Sequence, residues 1–262
     1  KMLDRIKINY TYYNNPKLLQ QVIDHYEPYK AYFTFAVIDD GSQEHPLTKD
    51  MLPSYWKGYR ITEDLGWGNE VARNILMRKT DSIWNALLDL DIVLDLSDPA
   101  SLQFLAPTST DTSLFVKYYD RLRLAKLIFQ FPFGGRTAYD DYTKVLTGKD
   151  ADFAINSFIV SSQAWQKTYG YDMVFAWTYG MDCTLIAQWE EVGMPNGALK
   201  KIATQACPSD WRVKGNSTEI YDAFSTIRDL HTGGGRLSQN FVWRDERERL
   251  HNSKSFPEVV DI

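Results

Sequence analysis

Short apolar runs alternate with helical stripes along the first third of the chain. Ile6-Lys7-Ile8-Asn9-Tyr10 has the period of a strand. Asn15-Pro16 then supplies a helix start, with Asn as N-cap and Pro at the first helical position, where its missing N–H costs nothing. Leu18, Leu19, Val22, Ile23 and Tyr26 fall on one face at helical spacing. Glu27-Pro28 ends that helix, because proline disfavours the helical region for the residue before it. Phe33 to Ile38 predicts a second strand, stopped by the turn cluster Asp39-Asp40-Gly41-Ser42. Tyr59-Arg60-Ile61 predicts a short third strand. After Gly66-Trp67-Gly68, Asn69 is the expected cap of a helix running to about Lys79, with Glu70 in its first turn. Ile83 to Leu90 predicts a fourth strand, closing in Asp89-Leu90-Asp91.

Strands separated by helices predict right-handed crossovers and a mainly parallel sheet. Ligands of such sheets bind outside the C-terminal strand ends, where both acidic turns fall. The second half is more mixed. Ser113 to Tyr119 and Lys126 to Phe131 predict strands, read as an antiparallel pair, and Phe153 to Val160 predicts another. Ser161 or Ser162 caps a short helix ending near Gly170. Asp182 to Val192 is helical by pattern, with Gly193 as its stop. Asn216-Ser217-Thr218-Glu219 resembles a capping box ahead of an apolar stripe from Ile220 to Leu230. No linker interrupts the pattern. The expectation is one α/β domain with two lobes, 1–110 and 111–262, sharing a core.

Composition narrows the classes. The formal charge of −5 argues against a chain built to grip nucleic acid, which needs clustered basic side chains. With 44% hydrophobic and 24% charged residues the chain is of ordinary globular make-up, so disorder is excluded. No apolar run approaches the ~20 residues of a transmembrane helix, and the first ten residues carry no apolar leader core. Two cysteines, Cys183 and Cys207, are too few for a disulfide scaffold. A cytoplasmic setting is the expectation. Cys183 has no local histidine partner to activate it as a nucleophile.

Two constellations carry chemistry. Asp89 and Asp91 flank one residue at the end of a buried strand, where two carboxylates can approach one hard divalent cation such as Mg2+ or Mn2+. Asp39-Asp40-Gly41-Ser42 ends another strand, where a carboxylate can accept from a base N–H or ribose hydroxyls; the same residues also make an ordinary turn.

In order and spacing these elements resemble the nucleotide-sugar-binding half of the GT-A glycosyltransferases, in particular the family-2-like group. The resembling pieces are Asn9 to Asn15, Val37 to Ser42, Gly68-Asn69-Glu70-Val71-Ala72-Arg73-Asn74 and Leu87 to Asp91. Downstream, Asn156 to Val160, Tyr169-Gly170-Tyr171-Asp172 and Tyr179-Gly180-Met181-Asp182 look like the acceptor-side segment of that family. The resemblance implies a mixed, mainly parallel GT-A sheet flanked by helices. It implies a metal-dependent, inverting transferase using Mn2+ or Mg2+, a UDP- or GDP-sugar donor, and a carbohydrate or glycoconjugate acceptor. Thr11 and Tyr13 would flank the base, and Asp40, with Asp39 behind it, would bind base or ribose. Arg73 would face the nucleotide or brace the loop. Asp91, with Asp89 in support, would hold the metal, and Asp182 would be the catalytic base. Met181 stands where the family often has an acidic or small polar residue.

The resemblance also implies a C-terminal histidine that completes the metal site and a flexible loop that closes over the diphosphate; His231, just before Gly233-Gly234-Gly235, is the candidate ligand, and Arg236 the candidate phosphate clamp. His25, among apolar neighbours, reads as structural. Two alternatives stay open on sequence grounds. One is a nucleotidyltransferase, although Tyr12-Tyr13-Asn14-Asn15-Pro16 replaces the glycine-rich basic loop expected there. The other is a non-catalytic carbohydrate-binding protein, which the 14% aromatic content would suit.

Overall fold

A computed structural model of the chain describes residues 5–66, 68–106, 128–133, 145–146, 152–171, 173, 185, 196–198, 203–206 and 256–262. Its centre is β1 (Lys7–Tyr12), buried at every position because both faces of the sheet are covered. β1 lies between β2 (Thr34–Asp39) and β4 (Trp84–Leu88), and β3 (Trp56–Ile61) pairs with β2; all these pairings are parallel.

Helix α1 (Pro16–Tyr26) crosses from β1 to β2. The Asn15 side chain accepts from the Leu18 N–H, and Leu18, Leu19, Val22, Ile23 and Tyr26 are all buried, as their spacing predicts. They pack with Ile8, Tyr10, Phe35, Val37 and Leu88. Helix α2 (Asn69–Lys79) crosses from β3 to β4 and covers the other face. Its Val71, Ala72, Ile75 and Leu76 meet Ala36, Ile38, Leu87 and Phe158. The strand alternation thus sorts one sheet into two cores.

Four further strands complete this sheet in the order β11-β3-β2-β1-β4-β8-β6-β9, with β6 (Ile128–Phe133), β8 (Asp152–Ser161), β9 (Asn196–Ala198) and β11 (Val259–Asp261). β8 runs antiparallel to both β4 and β6. A second, three-stranded sheet has the order β5-β10-β7, from β5 (Ile92–Asp95), β7 (Val145–Leu146) and β10 (Ala203–Ala206). Helix α3 (Pro99–Leu105) follows β5, and α4 (Ser162–Thr168) follows β8, capped by the Ser161 hydroxyl as expected. The architecture is a mixed, mostly parallel α/β sheet flanked by helices.

The structure corrects several expectations. The fourth strand stops at Leu88; the chain turns at 89–91 and resumes as β5 in the other sheet. Two buried tyrosines hold that resumption. The Tyr10 hydroxyl lies 2.9 Å from the Ile92 carbonyl, and the Leu94 N–H donates to the Tyr26 hydroxyl at 3.0 Å. Losing such a partner inside the core costs about 1–3 kcal/mol. His25 is structural as expected, donating from Nε2 to the Leu94 carbonyl at 2.8 Å. The strand expected at 126–131 is described as β6 at Ile128–Phe133 and pairs with β8. Its expected partner at 113–119 lies outside the described residues, as does the predicted helix at 220–230; of the helix expected at 182–192 only Leu185 is described, helical and buried. Helix α3 carries the same Asx-Pro start as α1, with the Asp98 side chain accepting from the Ala100 N–H and Pro99 at the first helical position. β11 was hidden by the charged residues that precede it. Among the described residues no helix is long and apolar enough to cross a membrane.

Candidate active site

The register brings those predicted residues that are described, Thr11, Tyr13, Asp39, Asp40, Asp89 and Asp91, to neighbouring strand ends. Tyr12, at the end of β1, lies beside Asp39 of β2, and Tyr10 lies beside Leu88 of β4. Residues 11–13, 39–40 and 89–91 therefore leave neighbouring strand ends. β1 is also where the strand order reverses direction, the place at which parallel sheets open a binding crevice.

Strand alternation decides what each carboxylate faces. Asp39 is on the α1 side and fully buried. Its Oδ1 accepts from the Ser42 N–H and its Oδ2 from the Leu47 N–H, both at 2.8 Å, and Arg60 Nε lies 3.6 Å from Oδ2. Burial raises its pKa above the ordinary carboxylate value, while the Ser42 and Leu47 hydrogen bonds and the Arg60 charge pull it back. Asp39 thus shapes the loop that follows it. Asp40 turns to the α2 side, where its Oδ2 accepts from the Gly68 N–H at 3.1 Å. The anion sits at the N-terminus of α2, where helix dipole and free N–H groups favour negative charge.

Thr11 and Tyr13 share that side. The Thr11 hydroxyl bonds the Asn69 side-chain oxygen. The Tyr13 hydroxyl donates to Asp64 at 2.9 Å, and burial, then that bond, then the charges of Asp64 and Asp40 push the phenol up to about 12. The expected cap, Asn69, is the first helical residue; Gly68 is the N-cap and gives no side-chain bond. The Asn69 amide is engaged with Thr11, which leaves the capping of the helix to Asp40.

Asp89, Leu90 and Asp91 form a tight turn, closed by the Ile92 N–H donating to the Asp89 carbonyl at 2.9 Å. Asp89 and Asp91 are both half-buried. Arg73 Nη2 donates to Asp89 Oδ1 at 2.7 Å. The Arg73 side chain is only 1% exposed, so it braces this turn from behind. Burial works against its charge, and the Tyr171 hydroxyl and the Asp89 and Glu70 carboxylates outweigh that and raise its pKa. The donor set fits a hard divalent cation: two carboxylates on one turn, Asp89 balanced by Arg73 and Asp91 two residues further on. Among the described residues no group of three His, Cys, Asp or Glu side chains converges into a complete metal cage. His231, Arg236 and Asp182 lie outside the described residues.

Several site residues escaped the sequence reading. Asp64 partners Tyr13, and Asn69 partners Thr11. Asn74 clasps Tyr171 on both sides of its backbone, donating to the Tyr171 carbonyl and accepting from its N–H, each at 2.9 Å. Asn74 and Tyr171 both stood inside quoted motifs. Their contact joins positions far apart in sequence, and no local pattern announces it.

No family model matches the chain, and no curated protein matches it. Solved structures do. The crystal structure of GalNAc-T7 with UDP, GalNAc and Mn2+ is similar over 98% of the chain, with a TM-score of 0.57 and 13% identity, and 56% of that structure is covered. S. aureus TarS is similar over 94% of the chain, with a TM-score of 0.53 and 12% identity, and 42% of it is covered. The chain thus spans about half the length of the structures it matches. Likeness at these identities defines the fold, and the fold is GT-A.

Proposed function

We propose that the chain is a GT-A glycosyltransferase that moves a sugar from a UDP- or GDP-sugar to a hydroxyl of a carbohydrate or glycoconjugate acceptor, with inversion, using Mn2+ or Mg2+. The observation that supports this reading is the convergence of Asp40, Thr11 and Tyr13 with the Asp89-Leu90-Asp91 turn at neighbouring strand ends beside one helix N-terminus. In this reading Tyr13 and Thr11 flank the base and Asp40 accepts from base or ribose. Asp91 is the principal metal ligand, Asp89 stands beside it, and His231 is the third. A bound divalent cation supplies stabilisation of the charge that builds on the departing diphosphate. Asp182 takes the proton of the acceptor hydroxyl. That oxygen bonds the anomeric carbon from the face opposite the leaving group. The bond from that carbon to the diphosphate oxygen breaks, its electron pair leaves with the diphosphate, and Arg236 meets the phosphate charge. The cation in the GalNAc-T7 structure agrees with a metal of this class.

A panel of UDP- and GDP-sugars with Mn2+, read by thermal stabilisation and donor hydrolysis, tests the proposal. A ligand at a hundred times its Kd stabilises by about 2.7 kcal/mol, a readily measured rise in Tm. Asp91→Asn should keep the unliganded Tm and lose the metal-dependent rise and the hydrolysis. A wild-type protein that responds to no member of the panel, or an Asp91→Asn variant that behaves as wild type, rejects the proposal.

A further inference from the structure

We propose that Tyr171 is a positioning residue: through Arg73 it fixes the carboxylate of Asp89, so that the turn at 169–171 sets the geometry of the acidic turn. This rests on the metal-dependent reading above. The Arg73 guanidinium is shared between two distant stretches of chain, Nη1 donating to the Tyr171 hydroxyl at 3.0 Å and Nη2 to Asp89 Oδ1 at 2.7 Å. Its donors form a rigid planar fork, so the orientation taken up at one end dictates the other.

The two ends are not equally held. The Tyr171 backbone is fixed by both Asn74 bonds, and its ring packs edge-on against Trp165 with centroids 5.4 Å apart. Tyr169 and Gly170 both have positive φ, 61° and 68°, which turns the chain back onto α2. A Cβ on Gly170 would meet Asn74 Oδ1 at 2.4 Å, so the close approach needs glycine. Asp89 lies instead in a turn and keeps 30% of its side chain exposed. The rigid end therefore orients the exposed one. A partner behind a metal ligand in this way commonly changes metal affinity by about 10–100-fold when removed.

The test uses Tyr171→Phe and Arg73→Lys in the full chain. Tyr171→Phe keeps the ring and the Asn74 bonds and removes only the hydroxyl; Arg73→Lys breaks the same link from its middle. Titration calorimetry measures UDP and GDP binding without metal, and paramagnetic resonance measures Mn2+ binding with saturating nucleotide. Both variants should bind Mn2+ about 10–100-fold more weakly while metal-free nucleotide affinity holds. Mn2+ affinity unchanged in both, even with a lowered Tm, overturns the inference, since a merely structural role moves only stability. Loss of metal-free nucleotide affinity in Arg73→Lys, with Tyr171→Phe unaffected, also overturns it, because Arg73 would then touch the nucleotide. If the wild-type protein binds Mn2+ with neither nucleotide, the glycosyltransferase reading itself fails.

Discussion

Gly41 offers a sharp test of how the loop beyond β2 supports the site. Its φ is 74°, a left-handed conformation that an L-residue adopts at a cost of about 1–2 kcal/mol. A Cβ added there would lie 2.3 Å from the Glu63 carbonyl oxygen and 2.9 Å from the Asp64 Cα. Those atoms are backbone, so no side chain can swing aside. Overpacking of this kind typically costs a further ~1–3 kcal/mol. Gly41→Ala should therefore lose about 2–5 kcal/mol, a large share of the ~5–15 kcal/mol that holds an ordinary domain. At about 2–4 °C per kcal/mol, Tm should fall by roughly 4–20 °C. Gly41→Asn separates the two causes. Asparagine tolerates the left-handed region but carries the same Cβ, so this variant should fall between wild type and Gly41→Ala. Function should follow, because Glu63 adjoins Asp64, the partner of Tyr13, and the same loop leads to Gly68, the partner of Asp40. Urea unfolding followed by tryptophan fluorescence measures the stability term, and calorimetry with UDP and GDP measures the binding term. Gly41→Ala within about 0.5 kcal/mol of wild type, the range of an ordinary surface substitution, would refute the packing argument.

Asp81 yields a pH prediction at the opposite end of the sheet. It bonds Lys7, whose side chain is 3% exposed, and Lys57 at 2.9 Å, and these bonds, Lys7 first, hold its carboxyl well below the usual range. A folded-state pKa below the unfolded 3.8 means that its contribution is complete above that value and is lost as pH falls through the folded one. Asp81→Asn should thus be less stable than wild type at pH 7, with the gap closing below pH ~4; a gap constant from pH 7 to pH 2 in urea titrations contradicts the assignment. Asp182→Asn should bind donor and Mn2+ normally and lose transfer to an acceptor, and unchanged turnover removes it from the base role.

Local signals made the donor half legible. The unbroken apolar run Phe35-Ala36-Val37-Ile38 and the stripe from Leu18 to Tyr26 specify a buried strand and a one-sided helix, and strands that alternate with helices leave few topologies. Asp39 and Asp40 stood out as a pair, but only the pleat assigns one to the loop and the other to the helix, since successive side chains take opposite faces. Arg73 was visible as a site residue with two possible duties, nucleotide contact or brace. The choice depends on Asp89 and Tyr171, distant in sequence from it and from each other. The expected fourth strand, Ile83 to Leu90, ran past the true break at Leu88, and β5 after it is held by hydrogen bonds to the Tyr10 and Tyr26 hydroxyls that no local pattern contains.

The same pleat explains why one short helix can organise the whole crevice. Thr11 on β1, Asp40 just beyond β2 and Asp89 just beyond β4 all fall on the sheet face covered by α2. Each then meets the first turns of that helix: Asn69, the Gly68 N–H and Arg73 respectively. Shifting the register of any of these strands by one residue would carry its site residue to the α1 face, into the cluster of Tyr10, Tyr26 and Phe35. A charge stranded there without partners costs several kcal/mol, so the hydrophobic alternation that builds the core is also what keeps the acidic groups at one site. Core and site are specified by a single pattern. A substitution that disturbs α2 packing, at Val71 or Ile75 for instance, is accordingly expected to loosen the crevice before it unfolds the sheet.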